Sequence, residues 1–435
     1  MRLSVIGCGH LGATHAAGMA EIGHEVIGLD INADRVAVLA SGKAWFHEPG
    51  LDPLIARHVA AGRLRFTSEW AEVAAGADVH FLATETPGGA DGAYDLTRLR
   101  AAVELLAPHL TSSALIVGKS TVPVGTSPML ADLARSLAPI GRDLEVAWNP
   151  EFLREGHAVV DTLRPDRIVV GTSSAHAEKV LRELYEPITA TGVPMVVTDS
   201  ATAELVKGSA NLYLASRVSL INAIGEVCEL AGADVTALAA AIGLDERIGS
   251  RYLSPGLGYG GGCLPKDTRA FGRRAGELGS DDTVAFCTAV DTINQHARDR
   301  AVIMITRAVG GDLTGKRIAV WGYAFKSLTD DIRDSPGLAV ARRLRAAGAH
   351  VVAADPMARP LAETEAPELT YVDDPAVAVQ DADAIFIGTA WPEYRRIDPA
   401  ELRPAAKVLV DARNAVNTDL WRGAGWTVHR LGVGL

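Results

Sequence analysis

A short apolar run, Leu3-Ser-Val-Ile6, breaks into Gly7-Cys-Gly9-His-Leu-Gly12, and a small-residue helical stretch then leads to a second run, Val26-Ile-Gly-Leu29, that ends in Asp30. A strand that feeds glycines and then a helix reads as the opening of a doubly wound parallel sheet. Gly7 permits the tight turn, Gly9 opens the backbone to a pyrophosphate at the helix N-terminus, and Gly12 lets helix and strand approach closely. Asp30, at the strand end, is suited to accept hydrogen bonds from adenosine ribose hydroxyls. Its charge repels a ribose phosphate, so NAD is expected rather than its phosphorylated relative. Arg35, five residues on, is a candidate to lie over the adenine, with a solvated helix arginine as the alternative.

Two more strands are expected at Val79-His-Phe-Leu82 and Leu115-Ile-Val117, each followed by polar turn residues. Ligands of an open parallel sheet bind at such strand ends, which makes Thr86 and Thr121 candidates for the nicotinamide side. A second wound unit repeats the plan near the C-terminus: Lys316-Arg-Ile-Ala-Val320, a helix over Leu338 to Ala347, Val351-Val-Ala-Ala-Asp355, Ala384-Ile-Phe-Ile387 and Lys407-Val-Leu-Val410. It lacks the triple-glycine loop, so a second dinucleotide held in the same way is not expected. Phe325, Lys326 and Arg413 at its strand ends suit an anionic group and an aromatic base. A long proline-free helix is expected from about Ala201 to Ala233, with Glu204, Lys207 and Asn211 at i, i+3 and i+7 on one face. The fold class is therefore α/β: two Rossmann-like doubly wound parallel-sheet domains joined by a long central helix.

The run Gly256-Leu-Gly-Tyr-Gly-Gly-Gly262-Cys263-Leu-Pro265-Lys266-Asp267 places one cysteine between a flexible glycine loop and a helix start. With Pro265 at the first helical position, Cys263 would lie just outside the helix N-terminus. Free amides there favour a thiolate, and Lys266 adds positive charge. A buried structural cysteine is the alternative. The four cysteines have neither paired nor metal-type spacing, so no disulfide framework and no metal site are expected. A net charge of −11 argues against a nucleic-acid partner. No run is long enough to cross a bilayer and no secretory leader is evident, so a soluble, cytoplasmic protein is expected.

Taken in order, the motifs resemble one family, the nucleotide-sugar dehydrogenases of the UDP-glucose and GDP-mannose type. They are the fingerprint with Asp30 and Arg35, His47-Glu48-Pro-Gly-Leu51, Lys119-Ser-Thr-Val-Pro123, Asn149-Pro-Glu151-Phe152-Leu153-Arg-Glu155-Gly156 and Arg164-Pro-Asp-Arg167. The helix with Lys207 and Asn211, Arg247-Ile-Gly249, the cysteine loop, Ala324-Phe-Lys326 and Asp330-Asp331-Ile-Arg333-Asp-Ser-Pro336 follow. The resemblance spans essentially the whole chain. It implies oxidation of a sugar's primary alcohol to a carboxylate with two NAD, and three domains: residues 1–199 for NAD, 200–310 for dimerisation and the cysteine loop, and 311–435 for the nucleotide sugar.

The chemistry implied is covalent. Cys263 adds to the intermediate aldehyde, a second oxidation gives a thioester, and water releases the acid. Asp267 and Thr121 would hold the water that serves as base for the first step, Lys207 would stabilise oxyanions, and Asn211 would orient the same oxygen. By resemblance Glu151 and Glu155 lie near cofactor and sugar, with Glu155 the better candidate to activate the hydrolytic water, and Arg333 approaches the cofactor. Phe152, Leu153, Tyr252, Tyr259, Gly260, Phe325, Lys326 and Arg413 are implied to contact the nucleotide sugar. Arg247 is implied to reach a neighbouring subunit's site, which would make the active unit a homodimer or larger. Gly262 stands where many relatives have serine and His10 where tyrosine is common. The loop favours UDP-glucose; GDP-mannose and UDP-N-acetylhexosamines are the alternatives. A two-electron dehydrogenase would have no use for Cys263, and an idle nucleotide-binding regulator would not need Cys263, Lys207 and Asp267 together.

Overall fold

A computed structural model of the chain describes residues 1–434. The chain divides into two compact units, Met1–Ala210 and Asn211–Leu435. The first carries β1 (Arg2–Ile6), β2 (Glu25–Leu29), β3 (Leu64–Thr67), β4 (Val79–Leu82), β5 (Ala114–Gly118), β6 (Leu144–Trp148), β7 (Ile168–Gly171) and β8 (Met195–Thr198). Their order in the sheet is β3-β2-β1-β4-β5-β6-β7-β8. Side chains alternate between two apolar layers: Leu3, Val5, Leu115 and Val117 enter one, and Ile6, Ala114 and Ile116 enter the other. A sheet buried on both faces requires such nearly continuous apolar strands. Pairing is parallel except where Trp148 of β6 meets Gly171 of β7 in antiparallel register. Trp148 is fully buried and fits because Gly118 has no side chain: a Cβ there would collide with the indole.

The second unit carries β9 (Arg317–Trp321), β10 (His350–Ala354), β11 (Thr370–Val372), β12 (Ala384–Ile387), β13 (Val408–Asp411) and β14 (Thr427–Arg430). They form an all-parallel sheet in the order β11-β10-β9-β12-β13-β14. Every strand expected from the sequence is present, with ends moved by one residue at most. The central helix runs over Ser200–Ala231, so its first turns belong to one unit and the remainder to the other. Helices Leu264–Glu277 and Asp281–Ala308 complete the part of the second unit that carries the cysteine.

Candidate active site

In the first unit the three glycines act as their spacing predicts. Gly7 takes φ +92°. A Cβ on Gly12 would strike the Gly7 carbonyl, whereas one on Gly9 would meet nothing within 4 Å. The helix His10–Glu21 thus starts tight against the loop, and open space remains above Gly9 for a pyrophosphate. Asp30 is 5 % exposed; it accepts from the Cys8 amide at 2.9 Å and the Asn32 amide at 2.9 Å. Arg35 Nη1 lies 4.0 Å from Asp30. These features fit a dinucleotide. At the ends of β4 and β5, the Thr86 hydroxyl donates to the Thr121 carbonyl at 2.7 Å, which brings the two threonine candidates together.

The central helix gives its buried face three different tasks. The Glu204 carboxylate accepts from the Gly125 and Ser127 amides at 2.7 and 2.5 Å, capping helix Thr126–Leu137, whose N-cap, Gly125, has no side chain to do so. Lys207, 4 % exposed, pairs with Glu151 at 3.1 Å. Glu151 also accepts from the Leu153 amide at 2.6 Å, turning the loop that bears Phe152 and the half-buried Glu155. Arg167 stacks on Phe152, 3.7 Å from its ring centre. From outside this loop Glu48 accepts from the amides of Gly156 and Ala158 at 2.7 and 2.8 Å. Lys119 is buried with its ammonium 3.0 Å from Asn149 Oδ1, which also accepts from the Tyr185 hydroxyl at 2.6 Å. Burial pushes the Lys119 amine down to about 8, against the attraction of Glu151 and with the repulsion of Lys207.

In the second unit Cys263 is the N-cap of helix Leu264–Glu277 and is exposed. Leu264 opens the helix and Pro265 takes the second position, one residue later than the sequence reading. The missing proline N–H is an orphan at either place. One turn on, Asp267 is 0 % exposed and accepts from Asn211 Nδ2 at 2.5 Å and Lys266 Nζ at 2.6 Å. The glycines before Cys263 allow close approach. A Cβ on Gly256 would meet the Ala412 carbonyl, on Gly260 the Asp334 carbonyl, on Gly261 the Phe325 ring, and on Gly262 the Arg333 guanidinium. Gly261 N–H donates to the Arg333 carbonyl at 2.8 Å. The Arg333 side chain is held by Asp331.

Tyr259 is fixed in this loop: its amide donates to Asn294 Oδ1 at 2.8 Å, its carbonyl accepts from Asn294 and Arg298, and its ring packs with Ala215 and Val290. Arg298, 3 % exposed on the side chain, pairs with Asp334 at 2.7 Å. Arg413 donates to the carbonyls of Gly388 and Gly258 at 2.8 and 3.0 Å. Its buried Nη2 has no acceptor among the described residues. Burial, helped by Arg298, brings Arg413 down to about 10. A buried guanidinium with an uncommitted N–H is suited to an anion. Lys326 Nζ lies 5.3 Å from the Phe325 ring centre. Asp355, the counterpart of Asp30, is fully used by the Tyr323, Ala324, Met357 and Ala358 amides and the Trp391 indole. That explains why this half has no acid to offer a ribose. Arg247 stands apart, 88 % exposed on its side chain and paired with Asp245 at 2.6 Å, and Tyr252 is exposed at φ +61°.

Lys119, Asn149, Glu48 and Arg298 were not singled out by sequence reasoning. Lys119, Asn149 and Glu48 lie in quoted motifs, but only tertiary contacts reveal their partners. Among the described residues no group of three or more His, Cys, Asp or Glu could hold a metal ion, and no helix is long and apolar enough to cross a membrane.

Three models of one family match the chain in succession. The NAD binding domain of the UDP-glucose/GDP-mannose dehydrogenase family matches residues 1–189, its central domain 201–296 and its UDP binding domain 319–418. A UDP-glucose 6-dehydrogenase of Rhizobium meliloti is 40 % identical over 96 % of each chain, and one of Haloferax volcanii is 39 % identical over 96 % of this chain and 97 % of its own. Among solved structures, a UDP-glucose dehydrogenase from Pyrobaculum islandicum aligns with a TM-score of 0.91 at 38 % identity, covering 98 % of both chains. The chain belongs to the UDP-glucose/GDP-mannose dehydrogenase family and is an NAD-dependent nucleotide-sugar dehydrogenase.

Proposed function

We propose that the chain converts UDP-glucose to UDP-glucuronate, with Cys263 as the covalent nucleophile. The observation that carries the chemistry is an exposed thiol at a helix N-cap whose next turn holds a fully buried carboxylate bonded to Asn211 and Lys266. The full-length likeness to proteins named UDP-glucose 6-dehydrogenases supports the sugar. NAD, when bound, would accept one hydride per molecule, so two molecules in succession would supply the two two-electron oxidations. The residues do the rest. Asp267, with Thr121, holds the water that takes the alcohol proton. The Cys263 thiolate, favoured by the helix N-terminus, adds to the aldehyde carbon. Lys207 and Asn211 offer N–H groups to the oxygen that gains charge in that addition and again when the thioester is hydrolysed. Glu155 draws a proton from the attacking water, the thiolate departs, and the carboxylate is released. Glu151 keeps Lys207 in place through their ion pair.

This reading assigns residues 1–199 to NAD, with Gly7, Gly9, Gly12, Asp30, Arg35, Thr86, Thr121, Glu155 and Arg333 toward it, and 311–435 to the nucleotide, with Phe325, Lys326 and Arg413 toward the UDP half. Phe152, Leu153, Tyr252, Tyr259 and Gly260 are assigned to the sugar and phosphates. Residues 200–310 are assigned to a homodimer or higher oligomer, in which the exposed Arg247 serves the neighbouring copy. Exposed Tyr213, Leu220 and Val227, seven residues apart on the central helix, support that interface. A cytoplasmic location follows from the cytosolic supply of NAD and nucleotide sugars.

The test is NADH formed per sugar consumed, with limiting UDP-glucose and excess NAD, beside GDP-mannose and UDP-N-acetyl sugars. Two NADH per UDP-glucose is expected. One would refute the four-electron course, and two from another sugar alone would move the specificity there.

A further inference from the structure

Trp45 lies in the loop between helices Ala33–Ala40 and Leu51–Ala60, and no role assigned so far uses it. Its indole N–H donates to the carbonyl of Cys8, the middle residue of the Gly7-Cys-Gly9 turn, at 3.0 Å. Its ring carries the Arg35 guanidinium 4.1 Å from the ring centre. Its flanks meet His10 and Phe46 edge-on, with ring centres 5.2 and 5.1 Å away, and those two rings pack on each other at 4.0 Å. The Cys8 amide in turn donates to Asp30, and Asp30 faces Arg35 at 4.0 Å. The contacts therefore close a circuit from Trp45 through Cys8, Asp30 and Arg35 back to Trp45.

We propose that Trp45 is a positioning residue for the adenosine half of NAD, holding the fingerprint turn by its N–H and Arg35 by its ring. The side chain of Arg35 is about one-third exposed (36 %); an arginine so placed, with no flat surface beneath it, would sample many rotamers and lose them on binding. Stacked on an indole that is itself wedged by His10 and Phe46, it stands beside Asp30 before the cofactor arrives, which lowers the ordering cost of binding. The same indole N–H satisfies a carbonyl of the turn that meets the pyrophosphate, so loop and arginine are set by one ring. The His10 that stands in place of the family's common tyrosine finds its packing partners here.

The inference rests on the assignment of Asp30 and Arg35 to adenosine, and the experiment separates the two. Trp45→Leu, Trp45→Phe and Arg35→Gln would be compared with the parent full-length protein by calorimetric titration with NAD, ADP-ribose and UDP. Trp45→Leu should weaken NAD about five- to fiftyfold and ADP-ribose by the same factor. Trp45→Phe, which keeps a ring but loses the N–H, should recover part of the loss. UDP affinity should move less than twofold. In the Arg35→Gln background, Trp45→Leu should cost less than it does alone, because the two act through one contact. NAD binding unchanged in Arg35→Gln would overturn the adenosine assignment. A weakened Arg35→Gln beside an unaffected Trp45→Leu would overturn the clamp alone. Equal losses for NAD and UDP would reduce Trp45 to general scaffolding and also overturn it.

Discussion

An ammonium closed away from water is costly unless it sheds its proton or finds a counter-charge. Lys119 does some of each. Unfolded, it titrates near 10.5; folded, burial brings it to about 8. Between those values the unfolded chain holds more protons, so stability contributed by this residue rises as pH climbs through that window, and below pH 8 the full cost of the buried charge is present. The urea midpoint of the parent should therefore climb from pH 8 to 10.5 relative to Lys119→Met; parallel curves would mean that the amine keeps its proton. The proposed nucleophile, Cys263, is tested by turnover instead. Cys263→Ser should still bind NAD and sugar but lose about a thousandfold or more of steady acid formation, since a hydroxyl does not readily form the acyl intermediate. Undiminished NADH production in the steady state would rule out the covalent route.

Elements here are set by contacts that lie far along the chain. Helix Thr126–Leu137 is capped by a carboxylate from the central helix, so Glu204→Ala strands two amides and should destabilise the fold by about 2–4 kcal/mol in urea unfolding, with Glu204→Gln recovering part. A loss below 0.5 kcal/mol would mean that solvent reaches those amides. This cap also marks how far the sequence could be read. The placement of Glu204, Lys207 and Asn211 on one face was legible from spacing alone, and all three are buried there. Their separate tasks were not, because Gly125 and Glu151 come 79 and 56 residues before their partners and Asp267 comes 56 residues after its own. Eight strands were legible to within a residue because a sheet buried on both faces leaves an uninterrupted apolar signature, whereas β3, β6, β7, β8, β11 and β14 were not read from the sequence. The antiparallel junction of β6 and β7 left none, since it depends on one pair, Trp148 and Gly171. The cysteine loop's glycines were legible as special, but the close neighbours that leave no room for a Cβ were not, because they come from distant parts of the chain.

For the molecule as a whole, the internal repeat foretold two wound sheets and the missing glycines set the second apart, but the different use of the two strand-end acids shows only in the structure. Asp30 has two backbone amides to satisfy, whereas Asp355 is consumed by four amides and an indole. The proposed assembly is testable on the same scale. Replacing both Leu220 and Val227, each more than half exposed, by arginine should yield a monomer in sedimentation at micromolar concentration; an unchanged oligomer would place the interface elsewhere. The distribution of thiols over the chain also has a practical consequence. Cys8, Cys228 and Cys287 are buried, and burial raises the thiols of Cys8 and Cys287, so Cys263 alone is exposed. A maleimide dye applied to the native protein should then take up one equivalent per chain, so that the bound colour counts the chains whose Cys263 thiol is intact and reachable, and uptake well above one would reveal opened molecules that expose the other three.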